Sequence, residues 1–210
     1  MESAPVCTTN AIHAGPWNKH KLIGQKPPLK PKHVWAIRTQ LQLRRKTRDL
    51  ALFNIAIDSK LRGCDLVALL VEDVAPLGRA IDRATIRQRK TGRAVKFELT
   101  EHTRASIDAH LEHKRISAGY LFRSSRKVDS HLSVRQYARL VDGWIKLAGL
   151  DPRRFGTHSL RRTKATLIYR KTGNLRAVQL LLGHEKVEST VRYLGIEVED
   201  ALTISEQVDV

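Results

Sequence analysis

Apolar residues recur at helical spacing along most of this chain. After Pro31, which suits the first turn of a helix, Val34, Ile37 and Leu41 lie three or four positions apart and predict one buried face. The almost wholly apolar run Leu50–Ile57 predicts a second helix that is buried on most sides. Similar patterns predict later helices at Thr100 to about Lys114, Ser133 to Gly149, Thr157–Arg170, Leu175–Leu182 and, as a single turn, Thr190–Leu194.

The spacing also predicts which side chains face the core and which residues cap the helices. Leu61–Leu66 reads as a turn that enters a short helix. Thr100 and Ser133 are predicted N-caps, because a hydroxyl at that position can accept from free backbone N–H groups. The predicted inward-facing residues are Leu66, Leu69 and Leu70 in the short helix, Ala105, Ile107, His110 and Leu111 in the next, and Tyr137, Leu140, Val141, Trp144 and Leu147 in the one after.

A different pattern interrupts the helices near the middle of the chain. Ala84–Arg89 and Ala94–Leu99 flank the short segment Lys90–Arg93, which contains Gly92. Two strand-like runs around a glycine-containing turn predict a β-hairpin. The predicted fold class is therefore mainly α with a small antiparallel β-sheet (α+β), in one domain.

The two ends of the chain differ in composition from the body. Residues 1–30 are rich in proline and lysine without a sustained apolar period, which predicts a flexible basic arm before a body at 31–196. Residues 197–210 carry acidic residues and no lysine or arginine, which marks an acidic tail. Lysines in and beside the arm are expected to contact phosphates: Lys19, Lys21, Lys26, Lys30 and Lys32.

The overall charge narrows the class of partner. Lysine and arginine total 38 against 21 acidic residues, giving a net charge of +17. That excess favours a polyanionic partner over a merely solvated basic surface. No apolar run approaches the roughly 20 residues of a membrane span, and no secretion signal is recognisable. Cys7 and Cys64 cannot form a disulfide framework, so reduced thiols in the cytoplasm are expected, with Cys64 a small core residue.

The C-terminal third brings a hydroxyl nucleophile close to several basic side chains. Tyr193 lies nine residues after His184, and His158 and Arg161 are three apart on one helix face. A tyrosine, with an ordinary pKa near ~10, attacks well only where cations stabilise its phenolate and its target. The cluster therefore points to a phosphodiester, whose transition state gains negative charge. Taken singly, each of these residues is as well explained by a structural role.

Other residues could complete such a site. Arg62 begins the short helix and could grip phosphate oxygens. Lys90 at the hairpin tip could protonate a leaving oxygen, or could contact the DNA backbone, which is also the role expected of Arg93. Asp65 is expected to orient Arg62 or to cap its helix. A zinc site at His158 and His184 is an alternative use of the histidines, but the neighbouring residues lack a recognised ligand spacing, so no metal is predicted.

In order and spacing, these residues resemble the catalytic set of the tyrosine recombinases, the phage-integrase family. The matching segments are LRGCDLVAL, RQRKTGRAVKFEL, THSLRRTKAT and LLGHEKVESTVRYLG. The resemblance implies the catalytic-domain fold of that family and a 3′-phosphotyrosyl link on the tyrosine. It implies that the arginines and histidines hold the phosphate and move protons, that the lysine protonates the leaving group, and that neither metal nor cofactor is needed. The implied catalytic set is Tyr193, Arg62, Lys90, His158, Arg161 and His184.

The chain departs from the family pattern in two ways. Arg162 stands where many relatives have histidine, which is expected to change the local packing only. The roughly 30 residues before the body leave no room for the helical clamping domain of typical integrases, so the chain resembles short members such as the fimbrial-switch invertases. The acidic tail resembles one that relatives donate to a neighbouring protomer, through Leu202, Ile204 and Val208. A homo-tetramer on double-stranded DNA is implied, with a tail folded on its own body as the alternative.

Two other functions fit the same residues. A type IB topoisomerase-like enzyme shares the chemistry but relaxes supercoils as a monomer. A DNA-binding regulator or accessory factor could have the fold without using the nucleophile, although it would need none of Lys90, His184 or Tyr193.

Overall fold

The computed structural model describes residues 25–125, 127, 129–195 and 205–206. Within these residues the fold is helical with one two-stranded antiparallel sheet, as the sequence predicts, and no helix is both long and apolar enough to cross a bilayer. The elements are α1 Pro31–Leu43, α2 Thr47–Ser59, α3 Gly63–Val67, α4 Val71–Val74, β1 Arg83–Arg87, β2 Ala94–Glu98, α5 Glu101–Lys114, α6 Val134–Leu147, α7 Thr157–Thr172, α8 Leu175–Leu182 and α9 Val187–Leu194.

Helix α2 lies at the centre of the fold. Every residue from Ala51 to Ser59 is buried, which confirms the prediction made from its apolar run. The helix packs against α1, α5 and α7, so its neighbours cover it on several sides. Its last residues lead directly into α3, and this places Arg62 between the core and the surface.

The hairpin has the predicted topology with slightly shorter strands. Strand β1 pairs with β2 from Arg83 opposite Glu98 to Arg87 opposite Ala94. Alternate side chains face inward on both strands, which anchors the sheet on the helices. The loop 88–93 that joins the strands includes Gly92 with φ +66°.

The two predicted caps differ in what their hydroxyls do. The Ser133 hydroxyl accepts from the backbone N–H of Gln136 at 3.1 Å, as a capping serine should. Thr100 occupies the N-cap position of α5, but its hydroxyl donates to Asp58 Oδ2 at 2.7 Å. The Thr100 side chain therefore binds the buried carboxylate of Asp58 and accepts no capping hydrogen bond from the backbone of α5.

Three predictions of buried side chains are wrong. Leu70 is 37% exposed because α3 ends at Val67 and Leu70 has the extended backbone of the residue before α4, so helical spacing no longer decides which way it faces. Ala105 is exposed, since the buried face of α5 also takes the polar residues Thr103 and Ser106. Cys64 is only partly buried, because α3 is a single turn with one face open to the surface.

The predicted N-terminal boundary also needs correction. Leu29 is 2% exposed and belongs to the main core, and its N–H donates to Thr163 Oγ1 at 3.0 Å. Residues 25–30 are therefore attached to the body, where the sequence predicts a flexible arm. Lys19, Lys21 and Cys7 lie outside the described residues, as do Leu202, Ile204 and Val208 of the predicted tail.

A second, smaller apolar cluster joins α7, α8 and α9. Its buried members are Ala165, Val178, Leu182 and Leu194. The ring of Tyr193 is partly buried and packs against this cluster. The short helix that carries the tyrosine is thus fixed to α7 by apolar contacts.

Candidate active site

Tyr193 lies at the centre of a group of basic side chains. Its ring meets the His184 imidazole edge to face, with ring centroids 5.3 Å apart. The guanidinium carbons of Arg161 and Arg162 lie 5.3 Å and 5.5 Å from the centroid of the Tyr193 ring. The structure therefore brings together the tyrosine, one histidine and one arginine of the predicted set, and adds Arg162.

The phenolic oxygen of Tyr193 is buried and, within the described residues, has no hydrogen-bond partner. Burial raises the pKa of Tyr193 to about 12, although Arg161, Arg162 and Arg62 act in the opposite direction. Loss of hydration disfavours the phenolate more than these three cations favour it. In this state the phenol is protonated at neutral pH.

Arg161 is held by main-chain oxygens. Its Nε donates to the carbonyl of Lys60 at 2.7 Å and its NH2 donates to the carbonyl of Leu182 at 3.0 Å. The residue is 5% exposed. Two of its three nitrogens are thus fixed by backbone from α2 and α8, which aims the guanidinium at the tyrosine.

A network of ion pairs that reaches from the core to the surface supports that anchor. Lys60 has a left-handed backbone with φ 55°, and its fully buried ammonium contacts Glu98 Oε1 at 3.2 Å. Lys164 bridges Glu98 at 2.6 Å and Asp58 at 2.8 Å. Burial lowers the pKa of Lys60, while Glu98 raises it. The carbonyl that holds Arg161 therefore belongs to a residue whose side chain is itself tied down.

Gln88 is a residue of the site that the sequence patterns do not predict. It is 1% exposed, and its Oε1 accepts from Arg62 NH1 and, at 2.9 Å, from the Thr91 hydroxyl. Its Nε2 donates at 3.4 Å to the Leu182 carbonyl, which Arg161 also contacts. Gln88 thereby links the two arginines. Its signal in the sequence is positional, because it continues the inward alternation of Ala84 and Ile86 with a polar side chain.

His184 is placed by polar contacts on both sides. Its Nδ1 lies 3.1 Å from the hydroxyl of the fully buried Thr190, and its carbonyl accepts from Gln179 Nε2 at 3.2 Å. Burial, then Arg161 and Arg62, lower the pKa of His184 to about 4. The imidazole is therefore neutral at pH 7. Thr190 and Gln179 were not identified from the sequence.

His158 lies one helical turn before Arg161, on the rim of the site. It is exposed and lines a cavity of about 610 Å³ together with Tyr193, Arg162 and Lys26. Partial burial and the nearby arginines, first of all Arg161, lower the pKa of His158. Its accessible ring faces the space that a substrate would occupy.

A second cavity opens on the other side of the tyrosine. Its volume is about 480 Å³, and its lining includes Arg62, Thr91, Arg93, His184 and Tyr193. Tyr193 is the residue that lines both cavities, so an incoming group can approach its ring from two sides. Its charged lining consists of two arginines, Arg62 and Arg93, and one carboxylate, Glu185, so the balance of charge suits an anionic ligand.

Of the predicted residues Lys90, Arg93 and Asp65, only Arg93 lines this second cavity. Lys90 is exposed at the tip of the loop, which leaves its side chain outside the group around Tyr193. Arg93 pairs with Glu185 at 2.9 Å across the cavity rim. Asp65 does not orient Arg62: its Oδ1 accepts from the N–H of Arg89 at 2.9 Å, and its buried Oδ2 has no partner in the described part of the chain. Asp65 thus fixes the loop that carries the lysine.

The described lysines of the predicted arm have different environments. Lys26 is docked on the body, where its Nζ donates to the Phe155 carbonyl at 2.6 Å. Lys30 and Lys32 are exposed at the start of α1. Lys26 is therefore committed to a contact within the chain, whereas Lys30 and Lys32 are free to face a polyanion. Among the described residues, no three histidine, cysteine, aspartate or glutamate side chains converge in a group that could hold a metal ion.

Comparison with known proteins identifies related sequences. The profile of the phage integrase family matches residues 29–199. The probable integrase/recombinase YoeC of Bacillus subtilis is 29% identical over 158 residues, which cover 75% of this chain and 83% of YoeC. The tyrosine recombinase XerD of Yersinia pestis is 29% identical over 167 residues, which cover 76% of this chain and 54% of XerD. The chain thus spans about half the length of this second relative.

Solved structures share the fold at lower identity. XerA recombinase superposes with a TM-score of 0.69 and 21% identity, covering 86% of this chain and 65% of XerA. XerH site-specific recombinase, bound to palindromic difH substrate in a post-cleavage complex, gives a TM-score of 0.68 and 20% identity, covering 86% of this chain and 54% of XerH. The arrangement of helices and hairpin is therefore that of recombinase chains.

Proposed function

Since the chain belongs to the phage integrase family, we propose that it is a tyrosine-type site-specific DNA recombinase. It cleaves and rejoins DNA through a 3′-phosphotyrosyl intermediate on Tyr193. The observation that carries this proposal is the placement of the Tyr193 ring against two guanidinium groups and the His184 imidazole. Cations close to a phenol can stabilise both its phenolate and the phosphate that it attacks, and this supports the proposed reaction.

In the first step the Tyr193 oxygen attacks a phosphorus atom of the DNA backbone. An oxygen–phosphorus bond forms, the bond to the 5′ oxygen breaks, and the phenolic proton passes to a base at the site. The 5′ oxygen leaves with a proton. Because the bond energy is kept in the phosphotyrosine, a second 5′ hydroxyl can reverse the step and join a new strand.

Arg161 and Arg62 are the proposed ligands of the scissile phosphate. Each uses part of its guanidinium for anchoring, Arg161 on two carbonyls and Arg62 on Gln88. The remaining N–H groups can donate to the non-bridging oxygens, where charge increases in the transition state. Fixed donors of this kind contribute several kcal/mol each in a water-poor site, by analogy with about 3–4 kcal/mol for one oxyanion donor.

The two histidines take different roles in this proposal. His184 is neutral, and if its Nδ1 accepts from Thr190 its Nε2 carries the proton and donates to the phosphate. His158, on the open rim, is placed to exchange protons with the reacting oxygens. Lys90 protonates the leaving 5′ oxygen, which requires the hairpin loop to fold over bound DNA.

The proposed partner is double-stranded DNA, in line with the +17 charge. We assign recombination to a homo-tetramer on two DNA sites, with the acidic tail at 197–210 exchanged between protomers, in the bacterial cytoplasm. Phosphate contacts outside the reaction centre are assigned to Arg93, Lys30 and Lys32. Lys26 joins them only if its contact with the Phe155 carbonyl opens when DNA binds.

The test is covalent capture of DNA. The protein is incubated with a pool of randomised duplexes that carry a nick, so that cleavage releases a short fragment and cannot be reversed. Protein–DNA adducts are isolated on a denaturing gel, and their DNA is sequenced to reveal the target. Tyr193→Phe should bind the pool but form no adduct, whereas Tyr120→Phe, a matched control away from the site, should behave as the native protein.

Each outcome separates the alternatives. An adduct that survives in Tyr193→Phe removes the proposed nucleophile. An adduct without strand-exchange products, together with plasmid relaxation by the monomer, indicates a topoisomerase-like enzyme. Salt-sensitive binding with no adduct from the native protein indicates a DNA-binding regulator.

A further inference from the structure

Arg162 stands as close to the nucleophile as Arg161 does. The two residues are consecutive on α7, and consecutive helical side chains point about 100° apart. Both guanidinium carbons nevertheless lie within 5.5 Å of the Tyr193 ring centroid. The ring therefore sits in the notch between these two side chains.

Arg162 is also fixed in place from the opposite side. It is 6% exposed, and its NH1 donates to the Lys26 carbonyl at 2.8 Å. Lys26 is held in turn through its Nζ by the Phe155 carbonyl. A neighbouring contact ties the same segment to the nucleophile helix, because the Gln25 side chain donates to the Arg192 carbonyl.

This environment suits a fixed cation better than a phosphate ligand. The Nε of Arg162 is buried without a partner in the described residues, and its NH2 lies beside Gly195, where an added Cβ would be 3.6 Å away. Although Arg162 lines the larger cavity, its hydrogen bond to the Lys26 carbonyl holds the guanidinium against the body of the protein. The Tyr193 ring lies within 5.5 Å of its guanidinium carbon, so its charge acts directly on the phenol.

We propose that Arg162 is a positioning residue for the nucleophile: a permanent cation that holds the Tyr193 ring and stabilises its phenolate while Arg161 and Arg62 bind the phosphate. This role rests on the proposed function, because it assumes that Tyr193 is the nucleophile. The effect of Arg162 on the pKa of Tyr193 can nevertheless be measured without DNA.

Other charges also face Tyr193 and must stay constant in the test. They come from α7, from the start of α3, from the segment before α9, and from the far walls of the two cavities. These groups are His158, Arg161, Arg62, His184, Lys26, Asp142, Arg93 and Glu185.

The experiment places 3-fluorotyrosine at position 193, which gives a single fluorine signal and a more acidic phenol. The pKa at position 193 is measured by fluorine NMR titration in the DNA-free protein. Arg162→Gln should raise it by about one pH unit, since an opposite charge at this range shifts a pKa by about one unit or more. Arg162→Lys should raise it less, and Arg170→Gln, which removes the same charge from an exposed site on α7, should leave it unchanged.

Arg162→Met replaces Arg162→Gln if circular dichroism shows that the glutamine variant is unfolded. An unchanged pKa in a folded neutral variant overturns the inference, and so does an equal rise in Arg170→Gln. In the adduct assay, the pH dependence of single-turnover cleavage in Arg162→Gln should move upward by the same amount. Absence of any adduct from the native protein refutes the proposed function alone, whereas adducts with an unmoved pKa refute the role of Arg162 alone.

Discussion

Gly183 offers a quantitative test of how tightly the site is assembled. It ends α8 with φ +66°, immediately before His184. A Cβ at this position would lie 2.7 Å from Val95 Cγ2 and 3.2 Å from Gln88 Nε2. Gly183→Ala therefore meets two separate penalties, one from the backbone and one from the neighbours.

Gly173 separates the two penalties. It ends α7 with φ +63°, and an added Cβ would meet nothing within 4 Å. Gly173→Ala should cost about 1–2 kcal/mol of unfolding free energy for the left-handed backbone alone. Gly183→Ala should cost that amount plus about 1–3 kcal/mol for overpacking. In a domain of this size, each kcal/mol lowers the Tm by about 2–4 °C.

The assay is urea unfolding followed by circular dichroism. Removing the Val95 methyl groups should relieve the shorter contact, so the double variant Gly183→Ala with Val95→Ala should be less destabilised than the sum of the single variants. Gly183→Ala should also slow adduct formation, because the added methyl group displaces Gln88, which accepts a hydrogen bond from Arg62. Equal losses in Gly183→Ala and Gly173→Ala, or strict additivity with Val95→Ala, would refute the proposed close packing.

Three further perturbations probe other parts of the fold. Leu29→Ala should cost about 2–5 kcal/mol in urea unfolding because Leu29 is a core residue, whereas a residue of a flexible arm would cost almost nothing. Glu98→Gln should lower the free energy of unfolding more than Lys60→Met does. The glutamine leaves the buried Lys60 ammonium with a weaker partner, whereas the methionine removes that charge. The reverse order in urea unfolding would contradict the ion-pair assignment. In the unfolded state His184 takes up a proton as the pH falls below its ordinary pKa of 6.5, whereas in the folded state it does so only at a pH of about 4. Stability should therefore be full above pH 6.5 and fall toward pH 4, and His184→Gln should flatten that fall in unfolding measured across this range.

The sequence predicts those parts of the fold that depend on regular spacing. The run Leu50–Ile57 in α2 is almost wholly apolar and predicts a central helix, and the glycine-containing hairpin follows from two short alternating runs. Leu29 was missed because it follows two prolines and has no helical neighbours, so its burial depends on a distant part of the chain. The apolar side chain of Ala105 predicts burial, but polar partners on α2 favour Thr103 and Ser106 on the buried face of α5.

The residues of the candidate site also differ in whether the sequence alone can predict them. Tyr193, Arg161 and His184 could be identified because their chemistry and order are distinctive, and the structure brings them together. Gln88 and Thr190 could not, since a glutamine or a threonine acquires its role only when folding brings an arginine or an imidazole beside it. Asp65 was assigned to Arg62 from proximity in sequence, whereas the fold presents the Arg89 N–H to it.

The carbonyl anchors of Arg161 bear on how this protein could be re-engineered. Main-chain oxygens at positions 60 and 182 exist whatever side chains those positions carry. A combinatorial library that varies side chains around the pocket therefore keeps the guanidinium in place, provided the backbone path is preserved. Insertions, deletions and changes at the left-handed turns are the mutations that would dislodge it, so a search for altered target preference should leave chain length and turn residues untouched.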